Sequence, residues 1–331
     1  MDLRSLPKIE LHSHLDCAIS FDAVHAIDPT ITRDLYETRF VAPRDCGSLA
    51  EYLTYTFNYR KLLQTEAALR IAVQDVFAQM QQENVIYAEL RFAPLIHTEG
   101  ELAAEEVVRT VADEVSTQIS ITGIEASIIL CTLRDYTSVQ SRTTGELVRQ
   151  FAHTTPVAAL DIAGDETAYP LTPHLPAFHA VRAAGLGVTV HAGEAGGAAS
   201  VIEALDYTGT KRIGHGVQSI EDADLVSRLR DERIHLEICP ICNVQTRAVG
   251  SLEKHPVDAL YRQGVRLGIS TDTRGVTANS LTEEYEALRD TFAWTLEDFG
   301  RVNRYALEAA FANDDVKESL AALLDEAYPA P

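Results

Sequence analysis

Short apolar runs alternate with longer stretches of helical periodicity along most of this chain. Eight runs read as strands, over residues 7–12, 85–92, 124–133, 157–163, 187–191, 212–216, 234–239 and 265–271. Apolar positions three and four apart mark helices over 102–115, 176–184, 220–229 and 257–263. The first of these opens on acidic residues that suit a helix N-terminus, and Gly185 follows the second as a C-terminal cap. Strict alternation of strand and helix predicts a parallel sheet with helical crossovers. Eight such units predict an α/β fold closed into a (β/α)8 TIM barrel. An open doubly wound sheet is the alternative, but no Gly-x-Gly-x-x-Gly turn follows the first strand. Helical sequence over 46–83 is inserted after the first strand and is expected to cover the barrel mouth. Residues 281–324 read as helical throughout, supplying extra C-terminal helices, and the whole of 1–331 reads as one domain.

The bulk properties narrow the partners. A length of 331 residues suits one barrel of roughly 250 residues with additions. The formal charge of −21 repels nucleic acid and anionic membrane surfaces, so neither is expected as a partner. Five cysteines, odd in number and irregularly spaced, do not form a disulfide scaffold. The start, Met1-Asp2-Leu3-Arg4-Ser5-Leu6-Pro7, has no apolar signal region, and no apolar run reaches the ~20 residues that span a bilayer. A cytoplasmic protein is the resulting expectation.

Chemistry-bearing residues gather at strand ends. His12 and His14 close the first strand, and a spacing of two puts both side chains on one face. His191 ends the fifth strand with Glu194 three residues on, His215 ends the sixth, and Asp272 follows the eighth. Barrel enzymes carry their catalytic groups at this end, and imidazole with carboxylate suits zinc. One histidine at a strand end is an ordinary surface or hydrogen-bonded residue; the joint pattern is what signals a site. His25, His97, His153, His174, His179, His235 and His255 lie on helices, in loops or at a strand start, and are read as structural or solvated.

The motifs around these residues resemble the adenosine deaminase family of the amidohydrolase superfamily. They run in order from Leu6-Pro7-Lys8-Ile9-Glu10-Leu11-His12-Ser13-His14-Leu15-Asp16 through Tyr87-Ala88-Glu89-Leu90-Arg91-Phe92-Ala93-Pro94 and Asp161-Ile162-Ala163-Gly164-Asp165-Glu166. His191-Ala192-Gly193-Glu194, Arg212-Ile213-Gly214-His215-Gly216-Val217, Leu236-Glu237-Ile238-Cys239-Pro240 and Ser270-Thr271-Asp272 complete them. The resemblance implies one Zn2+ per chain on His12, His14, His191 and Asp272. It implies Glu194 as the acid that protonates purine N1 and His215 as the residue that orients and helps deprotonate the zinc-bound water. Asp16 matches a carboxylate that contacts a ribose 5′-hydroxyl, and Gly164 a backbone donor to purine N3.

Two positions depart from the family pattern. Cys17 stands where glycine is more frequent and reads as a small buried residue. Thr273 stands where many members have a second Asp that meets purine N7; its hydroxyl can still donate there, without charge and with less reach. Cys239-Pro240-Ile241-Cys242 is read as the packed end of the seventh strand rather than a metal or redox pair, since no second cysteine pair exists. The implied activity is hydrolytic deamination of adenosine and 2′-deoxyadenosine, with a small purine nucleoside as the partner. Deamination of adenine or aminodeoxyfutalosine is the alternative, and a non-catalytic nucleoside-binding barrel the rival from another class.

Overall fold

The structure, a computed structural model, describes residues 2–328. Its first five strands are β1 (Lys8–His14), β2 (Val85–Phe92), β3 (Glu125–Leu133), β4 (Val157–Ala163) and β5 (Gly187–Val188). They pair in that order, all parallel. A second parallel run holds β6 (Val190–Ala192), β7 (Arg212–His215), β8 (His235–Ile238) and β9 (Arg266–Ile269). The runs meet at two seams. At one, Thr189 donates its backbone N–H to Leu160 O at 3.0 Å. At the other, Asp272 N donates to His12 O at 2.9 Å and His14 N to Asp272 O at 2.7 Å. The sheet is therefore a closed barrel with eight strand positions.

The fifth strand differs from its expected form. It is split at Thr189 into β5, which pairs only with β4, and β6, which pairs only with β7. Thr189 turns its hydroxyl inward to Glu237 Oε1 at 2.8 Å. The expected continuous helix over 281–324 is likewise broken, into Leu281–Phe292, Leu296–Ala309 and Asp314–Ala327. Thr295 and Asn313 cap the second and third of these, each side chain accepting a backbone N–H from the first turn. Ala293, between the first two, holds a left-handed φ of 55°.

After β1 the chain runs through helices Phe21–Ile27, Arg33–Arg39, Leu49–Leu62 and Glu66–Gln82. Ser20, Thr32, Ser48 and Thr65 cap them in turn. The expected inserted segment is the last two, separated by Leu63 and the Thr65 cap. Leu49, Tyr52 and Phe57 from one face of Leu49–Leu62 line the cavity at the barrel mouth, as the insertion suggested. At the opposite end, Asn303 of Leu296–Ala309 accepts Ile9 N at 2.7 Å, and Tyr328 donates to Pro7 O at 2.8 Å. Among the described residues no helix is long and apolar enough to cross a membrane.

One buried ion network ties the β9–β1 seam to the approach to β2. Arg274 reaches Glu10 Oε2 at 2.6 Å and also pairs with Glu83. Glu10 accepts Thr271 N at 3.0 Å, and Glu83 accepts Thr282 N at 2.8 Å. Breaking such a group leaves uncompensated buried charge, which typically costs about 3–5 kcal/mol. Arg274→Ala is therefore expected to lose stability on that scale in denaturant unfolding. A loss below about 1 kcal/mol would show that Glu10 and Glu83 find water or protons instead.

Candidate active site

The four strand-end residues converge. His14 Nε2 lies 3.2 Å from His191 Nε2 and 3.4 Å from Asp272 Oδ1, and His12 Nε2 lies 3.3 Å from the same oxygen. All four donor atoms fall within 4.8 Å of one another. A tetrahedral site with metal–ligand distances of about 2.0–2.1 Å has ligand–ligand edges of roughly 3.3–3.4 Å. His12 Nε2 is buried and makes no hydrogen bond, so its lone pair faces the centre of the group. The donor set and its spacing fit one divalent cation.

The far nitrogens explain why these lone pairs face inward. His12 Nδ1 is bound to Glu237 Oε2 at 2.9 Å, and His191 Nδ1 to Asp161 Oδ2 at 3.0 Å. Each carboxylate accepts a hydrogen bond from Nδ1–H and so leaves the lone pair on Nε2, the usual arrangement around ligating histidines. Arg91 bridges the two carboxylates, reaching Glu237 at 2.6 Å and Asp161 at 2.7 Å. Arg212 adds Glu237 at 2.7 Å and Glu89 at 2.7 Å. Burial alone would raise the pKa values of Asp161 and Glu237. For Asp161 the neighbouring His191 and Arg91 outweigh it, and for Glu237 Arg91 and Arg212 do, so both stay well below the usual carboxylate range.

Asp272 and His215 both sit at strand ends with left-handed backbones, φ 66° and 61°. Such a conformation is strained for a residue with a Cβ, and it persists at functional sites where surrounding bonds hold it. His215 is oriented by a relay. Val257 N donates to His255 Nδ1 at 3.1 Å, which places that ring's proton on Nε2. His255 Nε2 then meets Asn243 Oδ1 at 3.3 Å, and Asn243 Nδ2 donates to His215 Nδ1 at 3.1 Å. The neutral His215 ring therefore carries its proton on Nε2, 3.6 Å from Glu194 Oε2. It faces the site as a donor. His255, read from sequence as structural, is the second link of this relay.

Glu194 lies in the loop after β6. Burial, then the negative charges of Asp272 and Glu166, push its pKa up to about 8, although Thr246 Oγ1 donates to it at 3.1 Å. Glu166 holds the loop, accepting Gly193 N at 3.0 Å and Ser200 Oγ at 2.7 Å, and also Ala195 N. Asp16 is buried, accepts Ala93 N at 3.2 Å and lies 3.8 Å from His97 Nε2. Burial would raise its pKa too, but His97 and His14 keep it below the ordinary value. His97 is thus a buried neighbour of a candidate site carboxylate, its other nitrogen fixed on Leu63 O at 2.9 Å.

Gly164 lines the cavity with a φ of 104°. Thr273 lines it as well, but its hydroxyl is engaged by Tyr52 and lies 3.1 Å from Thr277 Oγ1, which meets Tyr52 at 2.6 Å. Each of the three hydroxyls has two hydroxyl neighbours within that ring. The cavity has a volume of about 250 Å³ and has His14, His191, Asp272, Glu194 and Asp16 on its walls. A more open depression of about 550 Å³, between Val217, Lys254 and Phe292, holds none of these groups.

Sequence reading missed Asp161, Glu237, Arg91, Arg212, Glu166, Asn243 and Tyr52 as parts of the site. The signal for the first four was present: ionisable residues inside apolar strand runs, where an unpaired charge costs several kcal/mol. Of the cysteines, Cys17 and Cys239 are buried as expected, whereas Cys242 lies on helix Pro240–Gln245 with Sγ 2.8 Å from Asp272 Oδ2.

The raised pKa of Glu194 has a stability consequence. Its folded value of about 8 exceeds the ordinary 4.5, so the folded state keeps a proton that the unfolded chain releases. That group disfavours folding increasingly as pH rises from about 4.5 to 8. Metal-free Glu194→Gln is therefore expected to gain stability over the metal-free parent, more at pH 8 than at pH 5, in paired denaturant titrations. Equal differences at both values would mean that Glu194 ionises normally.

The model of the adenosine deaminase family matches residues 7–327. An adenosine deaminase from Clostridium perfringens is 32% identical over 97% of this chain and 98% of its own length. One from Streptococcus agalactiae is 34% identical over 98% and 97%. Among solved structures, an adenine deaminase from Arthrobacter aurescens superposes with a TM-score of 0.88 at 25% identity, covering 97% of this chain and 99% of that one. Arabidopsis ADAL complexed with IMP gives the same score and identity, covering 99% and 98%. The chain belongs to the adenosine deaminase family.

Proposed function

We propose that the protein deaminates adenosine and 2′-deoxyadenosine hydrolytically, using one Zn2+ held by His12, His14, His191 and Asp272. One observation carries this reading: four ligand atoms within 4.8 Å of one another stand beside a buried carboxyl group whose pKa is raised to about 8. Three nitrogen donors and one carboxylate suit zinc. A cation so held would supply Lewis acidity, lowering the pKa of a water beside it toward neutrality. Addition of the water oxygen at C6 would break the C6–N1 π bond and load its electron pair onto N1, which takes the proton of Glu194. The proton shed by the water returns to the Glu194 carboxylate, and passage of the remaining hydroxyl proton to the amino group lets the C6–N bond break, releasing ammonia and leaving the C6 carbonyl of inosine. The raised pKa of Glu194 suits a group that must enter the reaction protonated.

His215 orients the attacking water through Nε2–H. The relay through Asn243 supports this orienting role and not proton acceptance, because Nε2 already carries the proton. Asp16, ionised and on the cavity wall, accepts the ribose 5′-hydroxyl, and Gly164 offers its backbone N–H to N3. Thr273 forms part of the wall facing the ring, with its hydroxyl beside those of Tyr52 and Thr277. The acidic chain and a cavity of about 250 Å³ favour a small nucleoside over nucleic acid. Five free cysteines, all buried, agree with a reducing cytoplasmic setting. Free adenine as substrate is the second reading, favoured by the likeness to the Arthrobacter enzyme.

The test is ammonia release over adenosine, 2′-deoxyadenosine, 5′-deoxyadenosine, adenine and aminodeoxyfutalosine. A charge-assisted hydrogen bond is typically worth ~1.5–3 kcal/mol, so adenosine should exceed 5′-deoxyadenosine by about one to two powers of ten in kcat/KM. Adenine as the best substrate overturns the role of Asp16. Aminodeoxyfutalosine winning by a wide margin overturns the adenosine assignment and leaves the chemistry. No release from any of them favours the non-catalytic barrel. Glu194→Gln should lower the rate by roughly 10²-fold or more with zinc still bound. His12→Ala and Asp272→Ala should lose zinc and rate together, whereas full activity after exhaustive chelation removes the metal from the mechanism.

A further inference from the structure

The reading above leaves Cys239-Pro240-Ile241-Cys242 without a task. Its second cysteine lies on helix Pro240–Gln245, directly after β8. That helix is anchored at both ends. Glu284 accepts Ile241 N at 3.0 Å, and Gln245 Nε2 donates to Ala42 O at 2.8 Å. Three side chains from this stretch then reach three groups of the site. Cys242 Sγ lies 2.8 Å from Asp272 Oδ2, Asn243 Nδ2 lies 3.1 Å from His215 Nδ1, and Thr246 Oγ1 lies 3.1 Å from Glu194 Oε1.

We propose that Cys242 is a positioning residue of the cation site, its thiol holding Asp272 Oδ2 so that Oδ1 faces the imidazoles. This rests on the metal reading above. A carboxylate turns about its last torsion in a broad well, so its side chain alone does not fix the plane in which its two equivalent oxygens lie. Here that plane is set with one oxygen 3.3 and 3.4 Å from His12 and His14 Nε2 and the other against the sulfur. The sulfur is enclosed, with Tyr52 O–H 3.7 Å away. A thiol is a weak donor. It fixes the orientation while leaving most of the carboxylate charge for the cation. Cys239 points elsewhere, with Sγ 3.8 Å from Glu237 O, so the two cysteines have separate surroundings.

The experiment is equilibrium zinc binding by competition with a chromogenic chelator, on metal-free parent, Cys242→Ser and Cys242→Ala. Thermal unfolding of each metal-free protein checks the fold. Loss of a hydrogen-bond partner behind a metal ligand typically costs 10–100-fold in affinity. Cys242→Ala should weaken zinc by that factor, and Cys242→Ser, which keeps a donor, should stay within about threefold of the parent. If the alanine variant does not fold, Cys242→Val fills the space without a donor and carries the same expectation. Equal affinity in parent and alanine variant overturns the proposal. Equal weakening by serine and alanine also overturns it, because the sulfur then acts by packing. A parent that does not bind zinc removes the metal reading and this inference together, whereas a tight parent with unchanged variants isolates the failure at Cys242.

Discussion

The site depends on Arg91, a fully buried guanidinium spanning Glu237 and Asp161 in the barrel interior. Each of those carboxylates in turn holds the Nδ1 of a histidine whose Nε2 faces the metal position. A lone charge in that place would cost several kcal/mol; here each partner makes the next affordable. Arg212 extends the array to Glu89, so three carboxylates share two guanidiniums. The surplus is one negative charge, and Asp272 adds a second just above it. A divalent cation is the complement of that surplus, which links the charge pattern of the interior to the chemistry at the mouth.

Geometry at the mouth is held against local preference. Asp272 and His215 take left-handed backbones directly after their strands. The cross-seam bonds Asp272 N to His12 O and His14 N to Asp272 O fix the first. For the second, Gly216 N donates to Ala192 O at 2.9 Å, and Gly216 itself is left-handed. The strain sits where two strands must end with side chains turned to one point. The barrel closure, needed for folding, supplies the hydrogen bonds that support it.

Much of this was legible in the sequence, and the remainder has physical reasons. All eight strand positions and the four clustering residues could be read, because buried parallel strands are apolar runs and their last residues stand out against them. The break at Thr189 could not be read, since one β-branched residue in a short run does not show whether it pairs. The breaks in the C-terminal segment were masked because apolar periodicity continues across them; the caps at Thr295 and Asn313 were the available signal. Thr273 was read as a single substitution at a ligand-facing position. Its hydroxyl is engaged by Tyr52, 221 residues away in sequence, and no local pattern reports such a partner. Helix Pro240–Gln245 was invisible for a related reason: six residues are too few for a periodic signal, and Cys242, Asn243 and the capping Thr246 gain meaning only from the site groups they touch.

Glu194 and Asp272 show how one environment assigns opposite tasks to two carboxyl groups. Both are buried, and burial alone raises both pKa values. Asp272 is surrounded by His12, His14 and His215, which outweigh burial and keep it ionised. Glu194 faces the negative charges of Asp272 and Glu166, which add to burial and keep it protonated. Pairs of titratable groups pushed apart in this way divide acid work from ligand work. The two are also coupled. The negative charge that makes Asp272 a ligand is part of what keeps the proton on Glu194. A cation that neutralises Asp272 therefore loosens that proton, and burial and Glu166 are what still hold it.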